Sequence, residues 1–238
     1  MNKFIFDVDG TLTPSRGIID LEFKAFFNMF CLANDVYLVT GSDKTKTVEQ
    51  ISEPTYNLCK RVYNCNGNDV WEKDVNIRTN KWILPEDAHE WLSEQLTASA
   101  FPLRTGLHFE HRPGMVNFSV VGRNANAEQR NQYVEWDKEY DERVYIAHNF
   151  NLKFLDLEAK VGGETGIDIS PIGFNKSQII KDFNLNTNEY AVYFFGDAMH
   201  EGGNDEPLMK VVNHHRHVTN WKGTREYLQI FQEQGIAN

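Results

Sequence analysis

The sequence predicts an α/β protein with a Rossmann-like parallel-sheet core and an inserted α+β module. Three observations carry this. Short apolar runs of β-type residues alternate with amphipathic stretches through the first 80 residues, as in layered parallel sheets. Near residue 80 the pattern changes to consecutive alternating runs grouped with polar helices, as in α+β modules. The strand–helix alternation then returns at Asn175. The expected boundaries are a core of 1–80 and 174–238 and an insert of 81–173, within the range that 238 residues allow.

The elements follow in order. Residues 3–8 read as a strand that must end at Gly10. Residues 19–33 read as a helix, with Phe23, Phe26, Phe27 and Phe30 at the spacing of a core face. A strand over 36–39 ends in Thr40-Gly41-Ser42-Asp43, a helix covers 44–52, and a strand at 61–63 precedes Asn66-Gly67. In the insert, Pro85 and the acids Glu86 and Asp87 open a helix to about residue 100. Alternating runs at 107–112 and 115–121, split by Pro113-Gly114, read as a hairpin. A polar helix over 126–142 and strands at 153–159 and 165–170 complete the insert. The core resumes with a helix at 176–183, a strand at 190–195 and an amphipathic helix at 221–233.

Composition narrows the function. A net charge of −10 argues against a nucleic-acid partner, which favours a basic footprint. It leaves room for an anionic substrate, because a local arginine cluster or a bound cation reverses the potential in one cleft. No apolar run reaches the roughly 18 residues of a membrane span, so no membrane partner is expected. No signal peptide is visible, and three unpaired-looking cysteines (Cys31, Cys59, Cys65) suit a reducing compartment, so a cytoplasmic protein is expected.

Phe4-Ile5-Phe6-Asp7-Val8-Asp9-Gly10 is the most informative stretch. An apolar strand delivers two carboxylates to its own end, where both can converge on one cation. Carboxylate oxygens are the preferred ligands of Mg²⁺, which neutralises a phosphate held against them. One Asp can attack phosphorus and the other can shuttle a proton. A calcium loop would need a Glu about eleven residues on, where Ile18 stands. A strand ending in solvated acids fits this stretch too.

A phosphoryl-transfer site also needs donors for the phosphate oxygens and more charge. Thr40 and Ser42 offer hydroxyls at the second strand end, although a helix cap explains them equally well. Lys176 opens the first helix after the insert. Asp197 ends the last strong strand, followed by Gly202-Gly203-Asn204-Asp205; a Gly/Asn/Asp turn is the plain alternative. The order of acid pair, hydroxyl, lysine and acid pair at strand ends or helix starts favours the site. Arg112, Arg123 and Arg130 gather around the insert hairpin. Arginine grips phosphate bidentately, but surface arginines without a shared target fit equally on these residues alone. His214, His215 and His217 lack further ligands and read as composition.

The first stretch resembles the opening motif of the haloacid-dehalogenase (HAD) phosphohydrolases and mutases, which makes the core HAD-type. Extended through Thr11-Leu12-Thr13-Pro14-Ser15-Arg16, it is similar to the eukaryotic-type phosphomannomutases. So are the stretches from Arg112 to Arg123 and from Phe194 to Asp205, and the resemblance runs from about Phe4 to Leu208. It implies that Asp7 becomes an aspartyl-phosphate, that Asp9 is the acid/base and gives Mg²⁺ its backbone carbonyl, and that Lys176 steadies the nucleophile. It places Asp7, Asp9, Asp197 and Asp205 at the metal. Arg112, Arg123 and Arg130 match cap arginines that hold the distal phosphate, and Asp168 an acid that binds sugar hydroxyls. Arg16 matches a substrate-contact position, and Thr40, Ser42 and Asn204 are expected to bind phosphate or substrate as well. A closing cap, a hexose 1,6-bisphosphate activator and a homodimer through the cap are implied as well.

Four positions depart from that pattern. Gly166 stands where the family has Ser, Thr40 where it has Gly, and Phe174-Asn175-Lys176 where it has Trp-Asp-Lys. Val211-Val212-Asn213-His214 replaces an acid-bearing loop. The resemblance therefore implies interconversion of mannose 1-phosphate and mannose 6-phosphate, with glucose phosphates also open as substrates. A sugar-phosphate phosphatase using the same Asp7 stands second. A non-catalytic sugar-phosphate-binding protein stands third, opposed by the intact Asp7, Asp9, Lys176 and Asp197.

Overall fold

The structure is a computed structural model that describes residues 1–238. Its strands are, in chain order, β1 (Lys3–Phe6), β2 (Asp35–Val39), β3 (Arg61–Asn64), β4 (Asp69–Glu72), β5 (Val75–Thr79), β6 (Phe109–Arg112), β7 (Met115–Phe118), β8 (Leu157–Gly162), β9 (Gly166–Pro171), β10 (Val192–Gly196) and β11 (His214–His217). The α-helices are α1 (Leu21–Ala33), α2 (Lys44–Ile51), α3 (Glu53–Leu58), α4 (Glu86–Ala98), α5 (Ala127–Tyr140), α6 (Glu142–Lys153), α7 (Glu206–Met209) and α8 (Trp221–Glu233). The chain forms two compact units: Met1–Thr79 with Gly173–Asn238, and Asn80–Ile172.

The first unit holds a seven-stranded sheet in the order β11-β10-β1-β2-β3-β4-β5. Neighbours from β11 to β3 run parallel; β4 and β5 are antiparallel additions. β1 is buried on both faces, which explains its unbroken apolar run. Phe4 and Phe6 join one core cluster with Phe23, Phe27 and Phe30 of α1 and Leu228 and Phe231 of α8. Ile5 joins another with Val39, Ile179 and Phe194. The Phe6 ring stacks on Phe195 at 4.8 Å and meets Phe27 edge-on at 5.3 Å. The Asp20 carboxylate accepts from the N–H groups of Glu22 and Phe23 and so starts α1. Phe26, expected on the core face with the others, is only partly buried.

The second unit holds an antiparallel sheet in the order β6-β7-β9-β8. Val116, Phe118, Ile167 and Ile169 face a core shared with Leu92, Tyr133 and Phe150 of α4, α5 and α6. Residues between them in sequence, such as Asn117 and Asp168, point to the other face.

Several elements differ from expectation for physical reasons. α3 and the β4–β5 hairpin carry little sequence signal, because these segments are short and largely polar. α6 lies where no helix is expected: Asp141, at φ +51°, separates it from α5 at the end of the helix expected over 126–142, and its mixed apolar and polar residues give only a weak amphipathic pattern. Residues 153–156, expected as strand, complete α6 and its turn, and β8 starts at Leu157. Residues 176–182 form a 3-10 helix. β11 consists of His214-His215-Arg216-His217, so the histidine cluster is a polar edge strand whose composition conceals it.

Candidate active site

The ends of β1 and β10 carry the densest charge in the first unit. Asp7 follows β1 directly and is buried. Asp197 follows β10, and Asp205 comes eight residues later in a turn that leads into α7. One oxygen from each of these three carboxylates lies within 4.8 Å of the others. Such crowding requires backbone without side chains. A Cβ on Gly10, which sits at φ +75°, would lie 2.1 Å from Asp197 Oδ2, and one on Gly196 would lie 2.4 Å from Asp205 Oδ2. Asp205 is anchored by the Ala198 N–H, which donates to Oδ2 at 3.0 Å.

Lys176 is fully buried and donates from Nζ to Asp7 Oδ1 at 2.5 Å and to Asp205 Oδ1 at 2.7 Å. It sits at the start of the 3-10 helix, where the Asn175 side chain accepts from the Ser177 N–H. Burial pushes the Asp7 carboxyl up to about 7; Lys176 opposes the shift, and the neighbouring Asp205 charge adds to it. Burial and then Asp205 raise Asp197 too. Lys176 itself is held charged: burial disfavours its charge, but Asp7 and Asp205 outweigh it.

Three carboxylates share one lysine, which leaves an excess of two negative charges in a largely dry place. The donor set is oxygen only, and these residues could hold a hard cation. Burial first, and the neighbouring carboxylate charge second, raise both Asp7 and Asp197.

The Asp9 side chain is not part of this cluster. Its Oδ1 accepts from the Arg16 N–H at 2.5 Å and from Gln50 Nε2 at 2.9 Å. Arg16 adopts φ +56° to deliver that N–H. Gln50, buried on α2, was not anticipated; one glutamine in a polar helix gives no signal until its helix face is known. Thr40 is buried at the end of β2, and its Oγ1 accepts from the Ser42 N–H at 3.1 Å. The Asn66 and Cys65 N–H groups donate to the carbonyls of Thr40 and Ser42, which ties this loop to the end of β3. Asn204 is exposed beside buried Asp205.

In the second unit, Arg112 and Arg123 converge on one unanticipated residue, Glu110. Arg112 donates from Nε and Nη2 to Oε1 at 3.1 and 3.0 Å, and Arg123 Nε stands 2.5 Å from Oε2. Glu110 lies two residues before Arg112 on β6, the spacing of a shared strand face, which is the signal that could have found it. Arg130 is separate, 3.8 Å from Glu164. Asp168 Oδ1 accepts from Asn117 Nδ2 at 2.6 Å, its direct cross-strand neighbour. Asn117 covers Gly166, where a Cβ would lie 2.4 Å from Nδ2.

A family model described as eukaryotic phosphomannomutase matches residues 23–233. The phosphomannomutase of Spinacia oleracea is 32% identical over 212 residues, covering 84% of this chain and 83% of that one. Phosphomannomutase 1 of Dictyostelium discoideum is 31% identical over 210 residues, covering 84% of each chain. Among solved structures, a haloacid dehalogenase-like hydrolase from Bacteroides thetaiotaomicron superposes with a TM-score of 0.60. It shares 12% identity, with 97% of this chain and 99% of that one covered. This likeness gives the haloacid-dehalogenase fold. By sequence, the chain belongs to the eukaryotic phosphomannomutase family.

Proposed function

We propose that the protein interconverts mannose 1-phosphate and mannose 6-phosphate through a phosphorylated Asp7. The observation that carries this reading is the buried Asp7–Lys176–Asp205 chain, with Asp197 beside it. Lys176 occupies Asp7 Oδ1, so Oδ2 is the oxygen left to attack phosphorus. As the Asp7–phosphate bond forms, the bond from phosphorus to the sugar oxygen breaks. Asp9, held in place by the Arg16 N–H and Gln50, gives the leaving oxygen its proton and recovers one from the next acceptor hydroxyl. The Thr40 and Ser42 hydroxyls at the end of β2 contact the phosphate oxygens. Asp7, Asp197, Asp205 and the Asp9 backbone carbonyl would hold Mg²⁺, which when bound neutralises phosphate charge. Arg112, Arg123 and Arg130 bind the phosphate that is not being transferred, and Asp168 binds sugar hydroxyls. A hexose 1,6-bisphosphate charges Asp7 at the start.

Phosphorus NMR of mannose 1-phosphate with the protein, Mg²⁺ and a trace of hexose 1,6-bisphosphate tests the proposal. Appearance of mannose 6-phosphate supports it. Release of inorganic phosphate alone would replace it with the phosphatase reading, which Thr40 and the side-chain-free position 166 favour.

We infer a homodimer through the second unit. The α6 region exposes Val144, Tyr145, Leu152 and Leu155, an apolar surface suited to a second copy. A monomeric mass by light scattering would remove this inference. No helix is long and apolar enough to cross a membrane.

A further inference from the structure

Three guanidiniums are assigned above to one phosphate, yet each already faces a carboxylate. Glu110 takes Arg112 on one oxygen and Arg123 on the other; Glu164 stands near Arg130. The sum of three positive and two negative groups is +1, a modest charge for holding a phosphate dianion.

The geometry sharpens the point. A guanidinium grips an anion best by an edge that presents two parallel N–H groups. Arg112 spends its Nε/Nη2 edge on Glu110 through hydrogen bonds, and Arg123 Nε stands against Oε2 as a close ion pair. The side chains are partly open, at 30% exposure for Glu110, 26% for Arg112 and 34% for Arg123, so an incoming anion can reach them. Burial opposes the charge on Glu110, but Arg112 and then Arg123 hold its carboxyl below the usual carboxylate value. It is therefore an anion at neutral pH.

We propose that Glu110 is a built-in competitor of the bound phosphate: it occupies Arg112 and Arg123, and weakens their grip on the distal phosphate so that a sugar bisphosphate can let go and rebind by its other end. This rests on the mutase reading and on the second unit as a phosphate site. A single-pass phosphatase needs no such release and rebinding. A mutase that binds the bisphosphate too tightly lowers its energy without lowering the barrier, and so traps it. A carboxylate that returns to the arginines as the phosphate leaves speeds that step. The competing idea, that Glu110 only props the arginines in place, predicts the opposite sign for its removal.

The test uses the full chain with Asp7→Asn, in which transfer is blocked and binding can be read alone. Titration calorimetry with mannose 1-phosphate should show Glu110→Gln binding about tenfold more tightly, the scale of one unfavourable charge interaction at a partly screened site. Glu110→Ala should move affinity in the same direction, with far-UV circular dichroism confirming that both variants fold. With Asp7 restored, Glu110→Gln should lower KM and kcat together, as expected when release slows. Unchanged or weaker binding in both Glu110 variants would overturn the proposal. Arg123→Ala in the Asp7→Asn chain identifies which premise is at fault. If it weakens binding, the phosphate site stands and only the competitor role has failed; if it does not, the phosphate site and the proposal fall together.

Discussion

Lys176 Nζ stands 2.7 Å from Asp205 Oδ1, and neither side chain is exposed. The lysine thus links Asp7 at the end of β1 to an acid that follows β10, and its charge is the sole compensation within the cluster.

Lys176→Met should therefore damage folding and chemistry together. It leaves Asp7 and Asp205 buried without their cation, a change that costs about 3–5 kcal/mol when one partner of a buried pair is removed. Thermal melts should show the loss, and phosphoryl transfer should fall below detection. A variant as stable as the parent would contradict the geometry.

Gly10→Ala tests the close approach of Asp197. The added methyl would lie 2.1 Å from Asp197 Oδ2 at a backbone φ of +75°, so the carboxylate must move. Mg²⁺ affinity, read from the metal dependence of turnover, should weaken at least about tenfold, as when groups that orient metal ligands are disturbed. An unchanged metal dependence would remove Asp197 from the metal site.

Arg123→Ala should impair turnover of mannose 1-phosphate far more than release of phosphate from a small aryl phosphate, which has no second phosphate to hold. Losing a charge-assisted phosphate contact costs about 10- to 100-fold in kcat/KM. Equal losses in both assays would contradict the distal role.

Asp182 provides a pH-dependent prediction away from the site. Burial would raise its carboxyl, but hydrogen bonds and charge from Arg78 and Arg61 hold it below the usual value. A depressed folded value stabilises the protein above the ordinary carboxylate range, and that contribution disappears as pH falls through the folded value. Asp182→Asn should lose about 1–2 kcal/mol at pH 7, and the gap should close as pH falls below the ordinary carboxylate range. A gap that persists in acid would mean that the ion pairs are not its source.

The sequence made the centre of the site legible and left its surroundings obscure. Asp7, Asp197 and Asp205 could be read because acids beside glycines at the ends of apolar strands are a local pattern. Lys176 needed the whole order of motifs, since a lysine at a helix start is ordinarily solvated. Gln50 and Asn117 act through partners 41 and 51 residues away, and no local pattern encodes such pairs. The fold shows the same division. β1, β2 and β10 announce themselves by continuous hydrophobicity, whereas β5 and β11 are polar edge strands that exist because a neighbour offers hydrogen bonds.

The contact between Asp7 and Lys176 spans 169 residues of chain. During synthesis, β1 emerges before the second unit, and β10, which pairs with it directly, follows only after the whole of that unit. A nascent chain that stops before residue 192 has Asp7 and none of Asp197, Asp205 or the strand that supports them. The charge cluster around Asp7 is thus incomplete until the segment that carries β10, Asp197 and Asp205 has been made. Such distant closure also favours slow folding, because the entropy of joining the two ends must be lost before their contacts form.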